Sequence, residues 1–458
     1  MPNPMPDPTT SDLLALAAER GARYRAEVDA RLVAPSPEAV ERLSALGGPL
    51  PESPQPPEQV FALLDEIGSP ATVATAGGRY FGFVTGSSLP VTVAASWLAA
   101  AWDQNAGLYV MSPVAAELET IALDWLLDIL GLPTETGGAF VTGATMANFT
   151  ALAAARHAVL RRVGWDVEAD GLFGAPPITV VVGAEAHTTL HKALALLGLG
   201  RSRVVTVPVD GQGRMRGDAL PEITGPAIVC VQAGNVNTGA FDPAGEILPW
   251  AQRAGAWVHV DGAFGLWAAA SPKRESLVAE FAGADSWATD AHKYLNTPYD
   301  CGLAFVRDVD ALRGSMAATA AYLPAADQRD PMHYTPESSR RARGVEVWAA
   351  LRTLGRAGVA DLVERCCRHA TRFGEGLRAA GYDVLNEVTF NQVLVAFGDD
   401  ETTRRVMAAV QRDGACWCGG TVWQGRAAMR ISVSSYATTE ADVERSLTAI
   451  IRLANEQR

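Results

Sequence analysis

A chain of 458 residues exceeds the size at which a single hydrophobic core usually stops growing, so two domains and a large buried interior are expected. With 48% hydrophobic and 19% charged residues it has the composition of a globular enzyme. Its net charge of −13 argues against nucleic acid or an acidic membrane as partner, since both demand clustered Lys and Arg. No N-terminal stretch joins a basic segment to an apolar core, and Val91 to Trp102 is too short and interrupted to span a bilayer, so a cytoplasmic protein is expected. The six cysteines form no disulfide framework, and neither Cys366-Cys367 nor Cys416-Trp-Cys418 has a second ligand pair at zinc-like spacing. Reduced thiols and no metal site are the expectation.

Residues 1–75 are proline-rich, with helical stretches at Ser11 to Arg31 and Pro57 to Ile67. Such a segment has too little apolar periodicity for a core of its own, so it reads as an arm that packs across a second copy of the chain. From about residue 135, β-rich apolar runs alternate with helical stretches: Thr179 to Val182, Arg203 to Val209, Ala227 to Gln232, Trp257 to Asp261, Ser286 to Thr289 and Leu303 to Val306. Their hydrophobicity is continuous rather than alternating, which predicts strands buried on both faces of a mostly parallel, helix-covered sheet. Residues 76–335 are expected to form this large domain. After about residue 340 a long, interrupted helical region near Val345 to Ala380 precedes strands at Val393 to Phe397 and Met429 to Val433. A last helix starts near Thr439 with Asp442 in capping-box spacing, so residues 336–458 read as a smaller α+β domain.

Two residues point to chemistry. Asp261, in Val258-His-Val-Asp-Gly-Ala-Phe264, ends a predicted strand, and Lys293 follows it in Asp290-Ala-His-Lys-Tyr294. A lysine amine can hold the aldehyde of pyridoxal phosphate as a Schiff base, while a buried carboxylate keeps the pyridine nitrogen protonated. Taken singly, they also read as a strand-end carboxylate and a surface lysine. Gly143-Ala-Thr145 runs into an Ala- and Leu-rich helix and is a candidate phosphate cradle, with small residues, helix-end amides and the Thr145 hydroxyl. It lacks the Gly-Lys-Ser/Thr of a Walker loop, and an ordinary helix cap is the competing reading. His187, just past Thr179 to Val182, stands where open α/β sheets bind ligands and can stack on a cofactor ring; His292 can serve a phosphate. A structural role is the alternative for both histidines.

The ordered set Gly143-Ala-Thr145, Ala186-His-Thr-Thr189, His259-Val-Asp-Gly-Ala-Phe264 and Asp290-Ala-His-Lys-Tyr294, followed by Asp300-Cys301, resembles the group II pyridoxal-phosphate decarboxylases. That family includes the aromatic amino acid, histidine, glutamate and cysteine-sulfinate decarboxylases. The likeness runs from about Tyr80 to the C-terminus and takes in Arg79-Tyr-Phe-Gly-Phe83, Ser112-Pro-Val-Ala-Ala-Glu-Leu-Glu119 and Arg340-Arg-Ala-Arg343. It implies the type I aminotransferase fold, with a seven-stranded sheet in the cofactor domain, and a homodimer whose active site lies at the subunit interface. Carried over residue by residue, it makes Lys293 the Schiff-base lysine, Asp261 the pyridinium partner and His187 the stacking imidazole. Ala263 then packs on the opposite ring face, and Gly143, Ala144, Thr145 and His292 serve the phosphate. Tyr322, in Ala320-Ala-Tyr-Leu-Pro324, falls where the family carries a mobile-loop tyrosine that protonates the α-carbon, in a loop several residues shorter than in the aromatic decarboxylases.

Arg430 is similar to a family arginine that meets a substrate carboxylate; a structural salt bridge is the other reading. Phe83 and Tyr109 lie in the segments that shape the relatives' substrate pocket. Asn237 is counted with the cofactor ligands, although Asn235-Val-Asn237 stands where threonines are usual, and Met146 stands where a glutamate is common. The resemblance implies decarboxylation of an L-amino acid to its amine and carbon dioxide. Transamination, β-elimination and oxidative deamination to an aldehyde are the alternatives on the same scaffold. A regulatory protein that binds the cofactor without turnover is a rival of another class, and no DNA-binding module supports it.

Overall fold

The computed structural model describes residues 10–318 and 328–457. Seven segments make the large sheet: β1 Gly137–Val141, β2 Thr179–Gly183, β3 Val205–Val207, β4 Ala227–Gln232, β5 Trp257–Asp261, β6 Ser286–Asp290 and β7 Gly302–Val306. Their order across the sheet is β1-β7-β6-β5-β4-β2-β3. Only β7 among them is reversed, lying antiparallel to β1 and β6, while β6, β5, β4, β2 and β3 run parallel. The expected α/β, type I aminotransferase-like sheet is therefore present.

Alternate residues of these strands go to opposite faces, and both faces are covered. Val180, Val182, Ile228, Cys230 and Trp257 belong to one apolar cluster, with Leu152 and the alanines of helix Ala144–Arg161. Val181, Val229, Val231, Val258 and Val260 belong to another, with Ile247 and Leu248 of helix Ala244–Arg253. This two-sided burial is why the runs read as continuously apolar in sequence.

A second sheet runs in the order Tyr80–Phe81, Trp417–Trp423, Arg426–Ser432, Gln392–Ala396 and Asp383–Val384. Its first strand is a departure from the expected organisation. Tyr80–Phe81, placed by sequence in the large domain, pairs parallel with Trp417 and Cys418 of the C-terminal sheet. The long helix Gly344–Ala379 is interrupted at Gly355, whose φ of 56° only a glycine adopts readily. The last helix, Glu440–Glu456, carries the expected capping box between Thr439 and Asp442.

The N-terminal segment forms helix Thr10–Glu27 and shorter turns, including Pro57–Leu63. It exposes Leu43, Leu46, Leu50, Val60, Leu63 and Leu64 to solvent. Among the described residues no helix is long and apolar enough to cross a membrane, and no three His, Cys, Asp or Glu side chains gather as metal ligands. All six cysteines are unpaired and buried.

Candidate active site

Parallel strands direct their carboxyl ends to one edge of a sheet, where loops leave an open crevice. Here that edge holds a cavity of about 440 Å³. Thr142, Gly143, Ala144 and Thr145 line it after β1, His187 after β2, Gln232 at the end of β4, and Asp261, Ala263 and Phe264 at the end of β5. Asp290, His292 and Lys293 complete it after β6, and Phe83 closes it from the N-terminal side. Nine of the residues named from sequence thus meet in one space: Phe83, Gly143, Ala144, Thr145, His187, Asp261, Ala263, His292 and Lys293.

The position of Lys293 is set by the turn behind it. Asn296 donates through Nδ2 to the carbonyls of Lys293 at 3.0 Å, Tyr294 at 2.9 Å and Ser434 at 3.0 Å, and accepts from the amides of Ser87 and Tyr436. One side chain thereby ties the lysine turn to the loop at Ser87 and to the segment that follows strand Arg426–Ser432. Gly86 lies so close that a Cβ there would fall 2.0 Å from the Lys293 carbonyl oxygen, so no larger residue fits. The Lys293 ammonium pairs with Asp290 Oδ2 at 3.0 Å and is 19% exposed.

Asp290, which the sequence alone did not single out, is a second hub. Its Oδ1 accepts from the Ala144 amide at 2.6 Å and stands 3.5 Å from His292 Nε2. The sequence signal was its place in the same short motif as Lys293, three residues away. Asn148 was also missed: its Nδ2 donates to Asp261 Oδ2 at 3.2 Å.

Each of the two histidines facing the cavity accepts a backbone amide at Nδ1, and His187 Nδ1 also lies 2.7 Å from Thr189 Oγ1. The Thr189 amide donates to His187 Nδ1 at 3.3 Å, and the Cys301 amide donates to His292 Nδ1 at 3.1 Å. An acceptor Nδ1 places the proton on Nε2 in each neutral ring. Burial pushes both imidazoles down from their ordinary range, opposed by Asp261 at His187 and by Asp290 at His292. The Tyr299 ring lies 4.4 Å from that of His292.

Three residues named from sequence do not line this cavity, although Arg430 is near enough for its charge to act on His187. Arg430 and Asn237 pair with each other at 3.4 Å, and neither lines the cavity, although Val236 does. Burial lowers the proton affinity of Arg430. Tyr109 is anchored by its amide to Asp330 Oδ1 at 2.7 Å and does not line the cavity either. Tyr322 lies outside the described residues.

The donor set suits a phosphorylated pyridine aldehyde. Gly143 has no side chain to cap helix Ala144–Arg161; Asp290 takes the Ala144 amide, which leaves the amides that follow and the Thr145 hydroxyl for an anion. A Cβ at Gly143 would press on His292 Cε1 at 3.2 Å, which keeps this approach to backbone glycine. The cavity also supplies a primary amine, and a carboxylate on the strand next to the one that leads to that amine.

The sequence model of the family described as pyridoxal-dependent decarboxylase conserved domain matches residues 50–398. Tryptophan decarboxylase 1 of Oryza sativa subsp. japonica is 28% identical over 429 residues, covering 84% of this chain and 82% of that protein. L-2,4-diaminobutyrate decarboxylase of Rhizobium meliloti (strain 1021) is 29% identical over 421 residues, covering 87% and 82%. The crystal structure of Oryza sativa TDC with PLP and tryptamine superposes with a TM-score of 0.92 at 25% identity, covering 99% of each chain. The protein therefore belongs to the pyridoxal-dependent decarboxylases, an enzyme that uses pyridoxal 5'-phosphate to remove the carboxyl group of an amino acid.

Proposed function

We propose that Lys293 holds the cofactor covalently, that Asp261 faces its ring nitrogen, and that His187 and Ala263 pack on its two faces. The observation carrying this assignment is that the lysine amine, the carboxylate and a helix N-terminus whose N-cap residue has no side chain border one cavity at the carboxyl edge of the sheet. Bound there, pyridoxal phosphate supplies an electron sink for the pair released when the carboxyl carbon leaves. Gly143, Ala144, Thr145 and His292 hold its phosphate, the histidine through Nε2–H. Asp290 positions the Lys293 amine at the cavity through the ion pair already described. Tyr322 returns a proton to the α-carbon, Arg430 meets the substrate carboxylate, Asn237 assists at the cofactor, and Phe83 and Tyr109 contact the substrate.

The substrate side chain is uncharged and apolar in this proposal. Phe83 is 63% exposed at the cavity and lies 5.5 Å from the Trp417 ring, which stacks on Tyr80 at 5.2 Å. Every charged residue lining the cavity, Asp261, Asp290 and Lys293, already has a role in this assignment. A second copy of the chain completes the site, supported by the apolar side chains the N-terminal segment exposes together with Trp97, Leu98 and Trp102. The six buried thiols accord with a reducing compartment, the cytoplasm.

Carbon dioxide release should be measured with the common L-amino acids, cysteine sulfinate and diaminobutyrate, followed by borohydride trapping and peptide mapping. Turnover of an aromatic substrate with the cofactor fixed on Lys293 is expected. A label on Lys192 or any other lysine refutes the assignment of Lys293, and exclusive turnover of an acidic substrate refutes that of the pocket.

A further inference from the structure

Trp257, His259 and Asp261 are spaced two apart on β5, so their side chains leave the same face of the sheet, the one covered by helix Ala144–Arg161. Ser286 is the register partner of His259 on β6. Trp257 Nε1 lies 2.8 Å from Ser286 Oγ, which lies 3.0 Å from His259 Nδ1. His259 Nε2 lies 2.8 Å from Asn148 Oδ1, and Asn148 Nδ2 is the atom that reaches Asp261. All five residues are buried.

The direction of this chain follows from its ends. An indole N–H only donates, so Ser286 Oγ accepts from Trp257 and directs its own proton to His259 Nδ1. The imidazole must then carry its proton on Nε2 and donate to Asn148 Oδ1, which turns the amide nitrogen toward the carboxylate. At the far end a carboxylate accepts, in agreement. We propose that Trp257, Ser286, His259 and Asn148 form a one-way donor relay. Its task is to hold Asp261 as an acceptor, so that the proton between it and the cofactor's ring nitrogen stays on the nitrogen. The inference rests on the placement of Asp261 proposed above.

Burial supports the relay by holding His259 neutral, with its pKa down to about 3, so that it has one donor nitrogen and one acceptor nitrogen. The backbone adds a second donor, the Ala263 amide at 3.3 Å from Asp261 Oδ1. Donors thus reach both carboxylate oxygens. Asn148 and His259 are positioning residues, since they act through Asp261.

The test uses full-length holoenzyme carrying pyridoxal phosphate isotope-labelled at the ring nitrogen. The readouts are the nitrogen resonance, the rate of cofactor loss, and kcat. Asn148→Leu should move the resonance toward the unprotonated pyridine value and lower kcat by about 10- to 100-fold, as expected for one hydrogen bond to a charged group. His259→Leu should move it the same way by less, because the carboxylate alone still favours the correct Asn148 orientation. His259→Gln, whose amide nitrogen takes the place of Nε2, should restore the wild-type resonance. Wild-type resonances in both leucine variants overturn the relay, and the histidine pair decides it should Asn148→Leu fail to fold. Asp261→Ala separates the two proposals: a shifted resonance there with none in the leucine variants removes the relay alone, whereas no shift there removes the placement of Asp261 as well.

Discussion

Among the described residues, two groups of buried charge do different things. One is Lys293, Asp290 and Asp261 at the carboxyl edge of the large sheet; the other is Glu119 with Arg340 and Arg329, where helix Pro113–Ile129 meets β1. Glu119 faces Arg340 at 2.9 Å and Arg329 at 3.5 Å. The arginines also donate to the carbonyls of Ala106, Phe140 and Gly138. That group fastens chain segments to one another and does not line the cavity at the sheet edge. The first group borders a cavity and retains an amine and carboxylate oxygens directed at it. Burial of charge is common to both, so it does not by itself mark a functional site. The open cavity does.

Substitutions should split along this line. Lys293→Ala is expected to have the largest effect: activity disappears, borohydride no longer fixes the cofactor, and thermal unfolding in the absence of cofactor changes little. A large fall in the melting temperature of the cofactor-free protein would instead place Lys293 with the fastening residues. Asp261→Asn should come next, with cofactor still bound and kcat lower by about 100-fold or more, as for other lost electrostatic stabilisers. A loss of only a few-fold in steady-state kinetics would make Asp261 structural.

Much of the catalytic edge was legible in sequence because local rules produce it. Ala227–Gln232 and Trp257–Asp261 were bounded to the residue, since strands buried on both faces are uniformly apolar and end abruptly. Eight of the nine cavity residues named from sequence lie at or just past ends of large-sheet strands, in short motifs whose order along the chain carried the family resemblance. What escaped depends on pairings made far along the chain. Trp417–Trp423 contains Gly419 and Gly420 and an uneven burial pattern, so it carries no clear strand signal. Tyr80–Phe81 is a strand only because a neighbour more than 300 residues away accepts it. Asn148 and Ser286 look like ordinary polar residues until helix and sheet bring them to His259. Arg430 and Asn237 matched a family pattern, and the fold joins them to each other rather than to the cavity lining.

Glu119→Gln tests the second group. Removing the charge leaves Arg340 buried without its partner, which typically costs about 3–5 kcal/mol. The lower end of that range is expected, because the contacts to Glu119 are close without being aligned hydrogen bonds. Chemical denaturation should report the loss, while kcat per folded, cofactor-loaded molecule stays at the wild-type value. A selective fall in kcat would mean that the two groups are coupled.

Arg329→Lys should have the smallest effect and is the finest probe of the fastening group. Arg329 donates to the Gly138 carbonyl at 2.6 Å, stands 3.5 Å from Glu119 and lies 4.1 Å above the Tyr334 ring. Lysine keeps the positive charge for Glu119, so the buried carboxylate is not left alone. It loses the planar fork that bonds the carbonyl while stacking on the ring. One neutral-acceptor hydrogen bond and part of a cation–π contact amount to about 1–2 kcal/mol. Equilibrium denaturation should show a shift of that size with an unchanged slope. Were the loss as large as for Glu119→Gln, the guanidinium geometry, and not its charge, would be what holds helix Pro113–Ile129 to β1.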